Sequence, residues 1–151
     1  MRDKRFIAEH RGGPLKIEQN RQLMAWGCTC AGHILPFFGE VMDERLTNAL
    51  LVAKEWERGN ASVGDARKAS VGCIAVANEL SDPVAIAVAR AIGHAVATAH
   101  MADHSLGPAW YALKAVRKAC KPVEEERKWQ DEQLPPEIRE LALSARIRRN
   151  I

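Results

Sequence analysis

Aromatic residues are scarce in this chain, with four Trp, three Phe and one Tyr among 151 residues. Hydrophobic residues still make up 47 %, so the core has to be built from Ala, Leu, Val and Ile, which suits closely packed helices rather than a β-sandwich. Hairpin dipeptides of the Asn-Gly type are missing, and no alternating run is long enough for a convincing strand. The opening Met1 to Arg5 leads into polar sequence, so no secretory signal is expected. The longest apolar stretch, Pro83 to Ala102, is interrupted by Arg90 and His94, which makes it a poor membrane span. There is no CxxC pair, and Cys28 and Cys30 would face opposite sides of a helix, which speaks against a zinc site there. Cys28, Cys30, Cys73 and Cys120 therefore read as reduced, mostly buried thiols of a cytoplasmic protein. A P-loop, a Rossmann fingerprint, a serine nucleophile elbow and the His-Glu-x-x-His pattern are all lacking, so no catalytic residue and no cofactor is implied.

What is present is helical. The expected fold is all-α: one domain over residues 1–151, a compact bundle of about six helices around a buried central helix. Residues 1–14, ending in Arg11-Gly12-Gly13-Pro14, read as a flexible N-terminal arm. Residues 146–151 read as a basic tail. Apolar residues at helical spacing mark a first helix over about Lys16–Leu35, stopped by Pro36 and Gly39. Asp43 is an N-cap for the next, which ends at Gly59. Ser62 and Asp65 form a capping box for a third. Asp82-Pro83 is the strongest start signal of all, a cap followed by proline at the first helical position. Ser105 and Gly107-Pro108 bend the chain into a helix carrying Trp110, Leu113, Val116 and Cys120. Val123–Asp131 reads as its charged continuation beyond Lys121-Pro122. Pro135-Pro136 opens a final helix. Trp56 and Trp110 are expected as core anchors and Trp129 as the exposed aromatic.

The central helix, read as running from Pro83 to about His104, is apolar nearly all round and so should be enclosed by others. Its polar residues then need partners. Arg90, His94, His100 and His104 share a broad sector, and Asp103 falls in the middle of the apolar face. Two readings stay open for these five. They bridge neighbouring helices by hydrogen bonds, or they bind a small anion or a metal, with His100 and His104 as the metal candidates.

Charge is uneven. Residues 1–36 carry six basic side chains against three acidic ones, the segment from Arg139 four against one, and the body between them is acidic, within a net charge of +3. Such ends suit an anionic partner, although a nucleic-acid protein shows a stronger basic field, so nucleic acid is not the expected partner. The alanine-rich helices with Gly93 would also permit a homodimer.

Three segments together carry a resemblance: Arg5-Phe6-Ile7-Ala8-Glu9-His10-Arg11-Gly12-Gly13-Pro14-Leu15; Asp43-Glu44-Arg45 followed by Trp56 and Gly59; and Ala91-Ile92-Gly93-His94 through His100-Met101-Ala102-Asp103-His104. The chain resembles the immunity-five-like family of bacterial polymorphic toxin systems from Arg5 to about Leu143. It departs from the family pattern at Leu46 and across Ser70, Gly72 and Cys73. The resemblance implies an all-helical cytoplasmic protein that binds and neutralises a cognate toxin without catalysis. Arg11, Asp43, Glu44, Arg45 and Trp129 are the candidate contacts to such a protein partner.

Overall fold

The chain is described by a computed structural model covering residues 2–151. Among these residues there are seven α-helices and no β-strand, only an isolated bridge between Ala8 and Leu15. In chain order they are α1 (Ile17–His33), α2 (Glu44–Glu57), α3 (Val63–Glu79), α4 (Pro83–Ala97), α5 (Leu106–Lys118), α6 (Val123–Glu132) and α7 (Pro136–Arg149).

The helix starts follow local chemistry. Asp43 accepts from the Arg45 amide at 2.9 Å. Ser62 and Asp65 exchange reciprocal hydrogen bonds of 3.0 Å. Asp82 accepts from the Ala85 amide at 3.2 Å. Each cap satisfies amides that have no partner within the first turn. Gly59 ends α2 in the left-handed region at φ +82°.

α4 is the hub, packed against α1, α2, α3 and α5. Ten of its residues are buried, mostly Ala and Val, and so small a surface lets neighbouring backbones come close. A Cβ on Gly93 would lie 3.1 Å from the Cys73 Cβ of α3. A Cβ on Gly27 of α1 would meet Pro108 at 3.3 Å. The surface of α4 around Gly93 is therefore used within the chain. A second apolar cluster, centred on Trp26, Leu23, Phe6, Leu106, Leu134 and Ile138, joins α1 to α5, α7 and the N-terminal segment.

Sequence expectations change at several points. The expected flexible arm contains two 3-10 turns, Lys4–Phe6 and Glu9–Arg11, and buries Phe6; Met1 lies outside the described residues. A bidentate Asp3–Arg5 pair places the Arg5 guanidinium 2.6 Å from the Ser144 hydroxyl of α7. Arg146, expected in a solvated tail, is 3 % exposed inside α7. It donates to Gln130 at 2.7 Å and to Asp131 at 3.0 Å. Finally, α4 ends at Ala97 rather than near His104. The Thr98 hydroxyl donates to the His94 carbonyl, and the following amides bond three residues back, to Val96 and Ala97. This tightens and closes the helix.

Segment Val123–Glu132 is a separate helix rather than an exposed continuation. Glu126, Gln130 and Leu134, four apart, are all buried. Gln130 is the junction: its carbonyl accepts from the Trp26 indole at 2.9 Å, and its amide donates to the Ala109 carbonyl at 3.1 Å. Glu126 receives His33 at 2.8 Å. The Arg146 Nε is buried without a partner, while both terminal nitrogens are bonded, and breaking a buried pair leaves its partners uncompensated. Arg146→Ala removes a donor from both Gln130 and Asp131, and is expected to cost about 3 kcal/mol in urea unfolding, against under ~0.5 kcal/mol for exposed Arg148→Ala.

Candidate functional site

Where α4 stops, three imidazoles come together. His94 sits on the last turn of α4, His100 on the connecting turn, and His104 in a 3-10 turn spanning Ala102–Ser105. The Nδ1 atoms of His94 and His104 are 3.1 Å apart. One must donate and the other accept, so this contact requires the accepting ring to be neutral and is lost when both rings are protonated. The rings of His100 and His104 lie 5.3 Å apart, and Tyr111 of α5 lies 5.3 Å from His94 on its other side. Gly107 makes the arrangement possible, because a Cβ there would stand 2.6 Å from the His94 ring.

Burial is the first cause holding these imidazoles neutral. It pushes His94 down to about 4, aided by His104 and Arg90. His100 is lowered by burial and by His104, Arg67 and Arg11, against an opposing pull from Asp103. His104 is lowered by burial, which outweighs Asp103, with Arg149 and Arg2 adding to the effect.

The histidines separate two cavities. One, of about 350 Å³, is lined by His94, Asp103, His104, Trp110, Tyr111 and Arg149 among others. The second, of about 290 Å³, lies between α3, α4 and α5 and is lined by Ser70, Ile74, Arg90, Gly93, His94, His100, His104 and Tyr111. Arg90 and Tyr111 also line a smaller continuation of about 210 Å³, with Lys114 and Lys118. Lys114 stands over the Trp110 ring at 4.6 Å.

Arg90, His94, His100 and His104 thus share one cleft. Arg11 belongs to the same side, close enough to His100 to disfavour its protonation. Asp103 is not on the face of α4. It lies in the 3-10 turn, and Arg149 of α7 reaches one of its oxygens at 3.3 Å. The other oxygen is buried without a partner. Among the described residues, no group of three His, Cys, Asp or Glu side chains is placed to hold a metal ion.

The other candidates lie elsewhere. Asp43 and Arg45 form a paired clamp in which Arg45 also reaches Glu79 at 2.6 Å, tying the start of α2 to the end of α3, while Glu44 is exposed. Trp129, expected to be exposed, is half-buried and stacks on His33 with ring centroids 3.6 Å apart. Trp110, expected as a core anchor, is 39 % exposed at the cleft rim, whereas Trp56 is buried. Among the cysteines, Cys30 and Cys73 are buried, Cys28 is half-buried with its thiol pushed up to about 12 by burial, and Cys120 is exposed. Sequence reasoning gave no site role to Ser70 and Gly107, and Tyr111, a candidate donor to Asp103 by sequence, instead lies beside the His94 ring. Only Gly107, beside a proline and one turn from the histidines, carried a usable signal.

A histidine whose folded-state pKa lies below its unfolded value stabilises the protein above the unfolded value, and that contribution is lost as pH falls. Stability should therefore drop through the window from the ordinary histidine value of 6.5 toward about 4. The loss between pH 7 and pH 5 is expected to be about 1 kcal/mol, discounted for the partial solvent access of His94. Gly107→Ala, which forces the His94 ring aside, should lower stability at neutral pH and flatten this dependence in denaturant melts.

In comparison with known families, residues 13–137 match the Imm-5 like putative immunity protein. No curated protein and no solved structure matched the chain. The matched region runs from the start of the Gly13–Leu15 turn through α1 to α6 and into the first turn of α7, and so contains His94, His100, His104 and Arg90, while Arg11 and Arg149 lie outside it. With most of its length covered, the chain belongs to the Imm-5 like family of immunity proteins.

Proposed function

We propose that this protein binds and neutralises a cognate bacterial toxin, acting by occupation of a surface rather than by catalysis. The family match across residues 13–137 carries this reading. The cytoplasm is the compartment it expects. No helix among the described residues is long and apolar enough to cross a membrane.

The surface around the cleft supplies the physical support. Ile74 is 55 % exposed on α3 and Trp110 39 % exposed on α5, and both line cavities of the imidazole cleft. Val71, one turn from Ile74, is also exposed. Exposed aromatic and branched side chains beside arginines have the composition of an interface centre. Arg11 and Arg90 flank this face, favouring a partner with acidic groups opposite and speeding its approach. The Asp43–Arg45 clamp and Trp129 are occupied with internal contacts, which makes them secondary contacts in this reading.

Co-expression with a toxin encoded beside this gene tests it. The wild-type chain should restore growth and co-purify with the toxin. Trp110→Ala combined with Ile74→Asp, shown to be folded by circular dichroism, should weaken binding at least ~10-fold, the loss expected from one interface anchor. Failure of the wild type to protect or to retain the toxin would overturn the function. Full protection by the double variant would remove this face from it.

A further inference from the structure

The cleft between α3, α4 and α5 is more specific than a contact face requires. It is a formed concavity of about 290 Å³ whose walls include the small residues Ser70, Ala89, Gly93 and Ala97. It continues past Arg90 and Tyr111 into the space lined by Lys114 and Lys118. No carboxylate lines either part, so the fixed charge along the groove is of one sign. A concave site of one sign concentrates counter-charge. His100 lines the groove, and its Nδ1 atom is buried beneath the surface without a hydrogen-bond partner, an unfavourable arrangement that a turn of the ring toward a ligand would relieve. The lining otherwise mixes Ile74 and alanines with the Tyr111 ring, a surface suited to a small apolar body rather than to a bare ion.

The geometry points to a binding site for a small organic oxyanion, a carboxylate or phosphate monoester, with its charged group against His100 and Arg90 and its apolar body along Ile74 and Tyr111. Neutral imidazoles donate one hydrogen bond each, and Arg90 supplies the balancing charge. Bound negative charge also favours protonation of the imidazoles, so affinity rises as pH falls. The groups that set this response at His100 are His104, Arg67 of α3, Arg11 of the N-terminal segment and the opposing Asp103. The site concerns the isolated chain and stands or falls separately from toxin binding.

The test follows the histidine side-chain NMR signals of the full chain during titration with benzoate, phenyl phosphate or inorganic phosphate, with sodium chloride at matched ionic strength as control. Saturable shifts of His100 and His94, with a rise in melting temperature, are expected for benzoate or phenyl phosphate. Affinity should increase on the order of tenfold per pH unit at most, the limit for uptake of one proton. Response to phenyl phosphate alone assigns a phosphate monoester; response to benzoate assigns a carboxylate. Arg90 is exposed, so Arg90→Gln leaves the core intact and should weaken binding about tenfold, the loss expected for a charge-assisted hydrogen bond. Shifts no larger than with chloride, or an unchanged affinity in Arg90→Gln, would overturn the proposal. Response to inorganic phosphate as strong as to the organic anions would overturn the assignment of an apolar body.

Discussion

A helix whose side chains are mostly methyl groups cannot fill a core by itself; it must be approached closely from every side. α4 is such a helix, and its burial against α1, α2, α3 and α5 follows from that constraint. The close approach explains the glycines at its contacts, Gly93 beneath Cys73 and Gly27 beside Pro108. It also explains the low aromatic content: backbones that come this near leave little room for rings. Large residues such as Trp56, Met24 and Leu46 sit at the edges of the apolar cluster around α4, on the neighbouring helices, while Trp26 of α1 belongs to the second cluster, with Leu134 and Ile138.

The polar chemistry is gathered where that close packing gives out. Beyond Ala97 the chain leaves helical geometry, and within a few residues it places His100, Asp103 and His104 beside His94. The three histidines are sheltered enough to resist protonation and open enough to line cavities. The C-terminal helices are attached by different means. α6 and α7 are joined to α1 and α5 through Gln130, which links Trp26, Ala109 and Arg146. Around α4 the packing is almost wholly apolar, whereas in the C-terminal part directional bonds are added to the apolar contacts of the second cluster.

The all-α fold and most helix starts were legible because capping is local. Asp43, Ser62, Asp65 and Asp82 act within three residues of themselves, and their signals survive without tertiary context. The end of α4 was not legible, because alanines and histidines are compatible with helix and the stop depends on a single hydroxyl, Thr98, and on tightening of the last turn. Extending the helix placed Asp103 on the wrong surface while still grouping the right histidines. Arg146 and Gln130 were read as solvated because composition alone cannot show that a guanidinium has a buried amide to meet. Trp110 and Trp129 deceived in opposite directions. Trp110 stands among apolar neighbours and Trp129 among charged ones, and whether a ring is covered is decided by another helix rather than by its neighbours in sequence.

The Asp-x-Arg clamp appears twice, as Asp43–Arg45 and as Asp3–Arg5, and in both cases the arginine is held by its own cap and reaches a remote helix. The second instance joins residues 139 positions apart. Contacts of such separation carry a large loop-closure entropy and form only after the elements between them have docked. The N-terminal segment is therefore closed onto α7 by a contact that requires the helices between them to be docked, with Phe6 buried in the core beside it. Arg11 follows on the same segment and disfavours protonation of His100. The two ends of the chain, through Arg11 and Arg149, thus both bear on the electrostatics of the imidazoles.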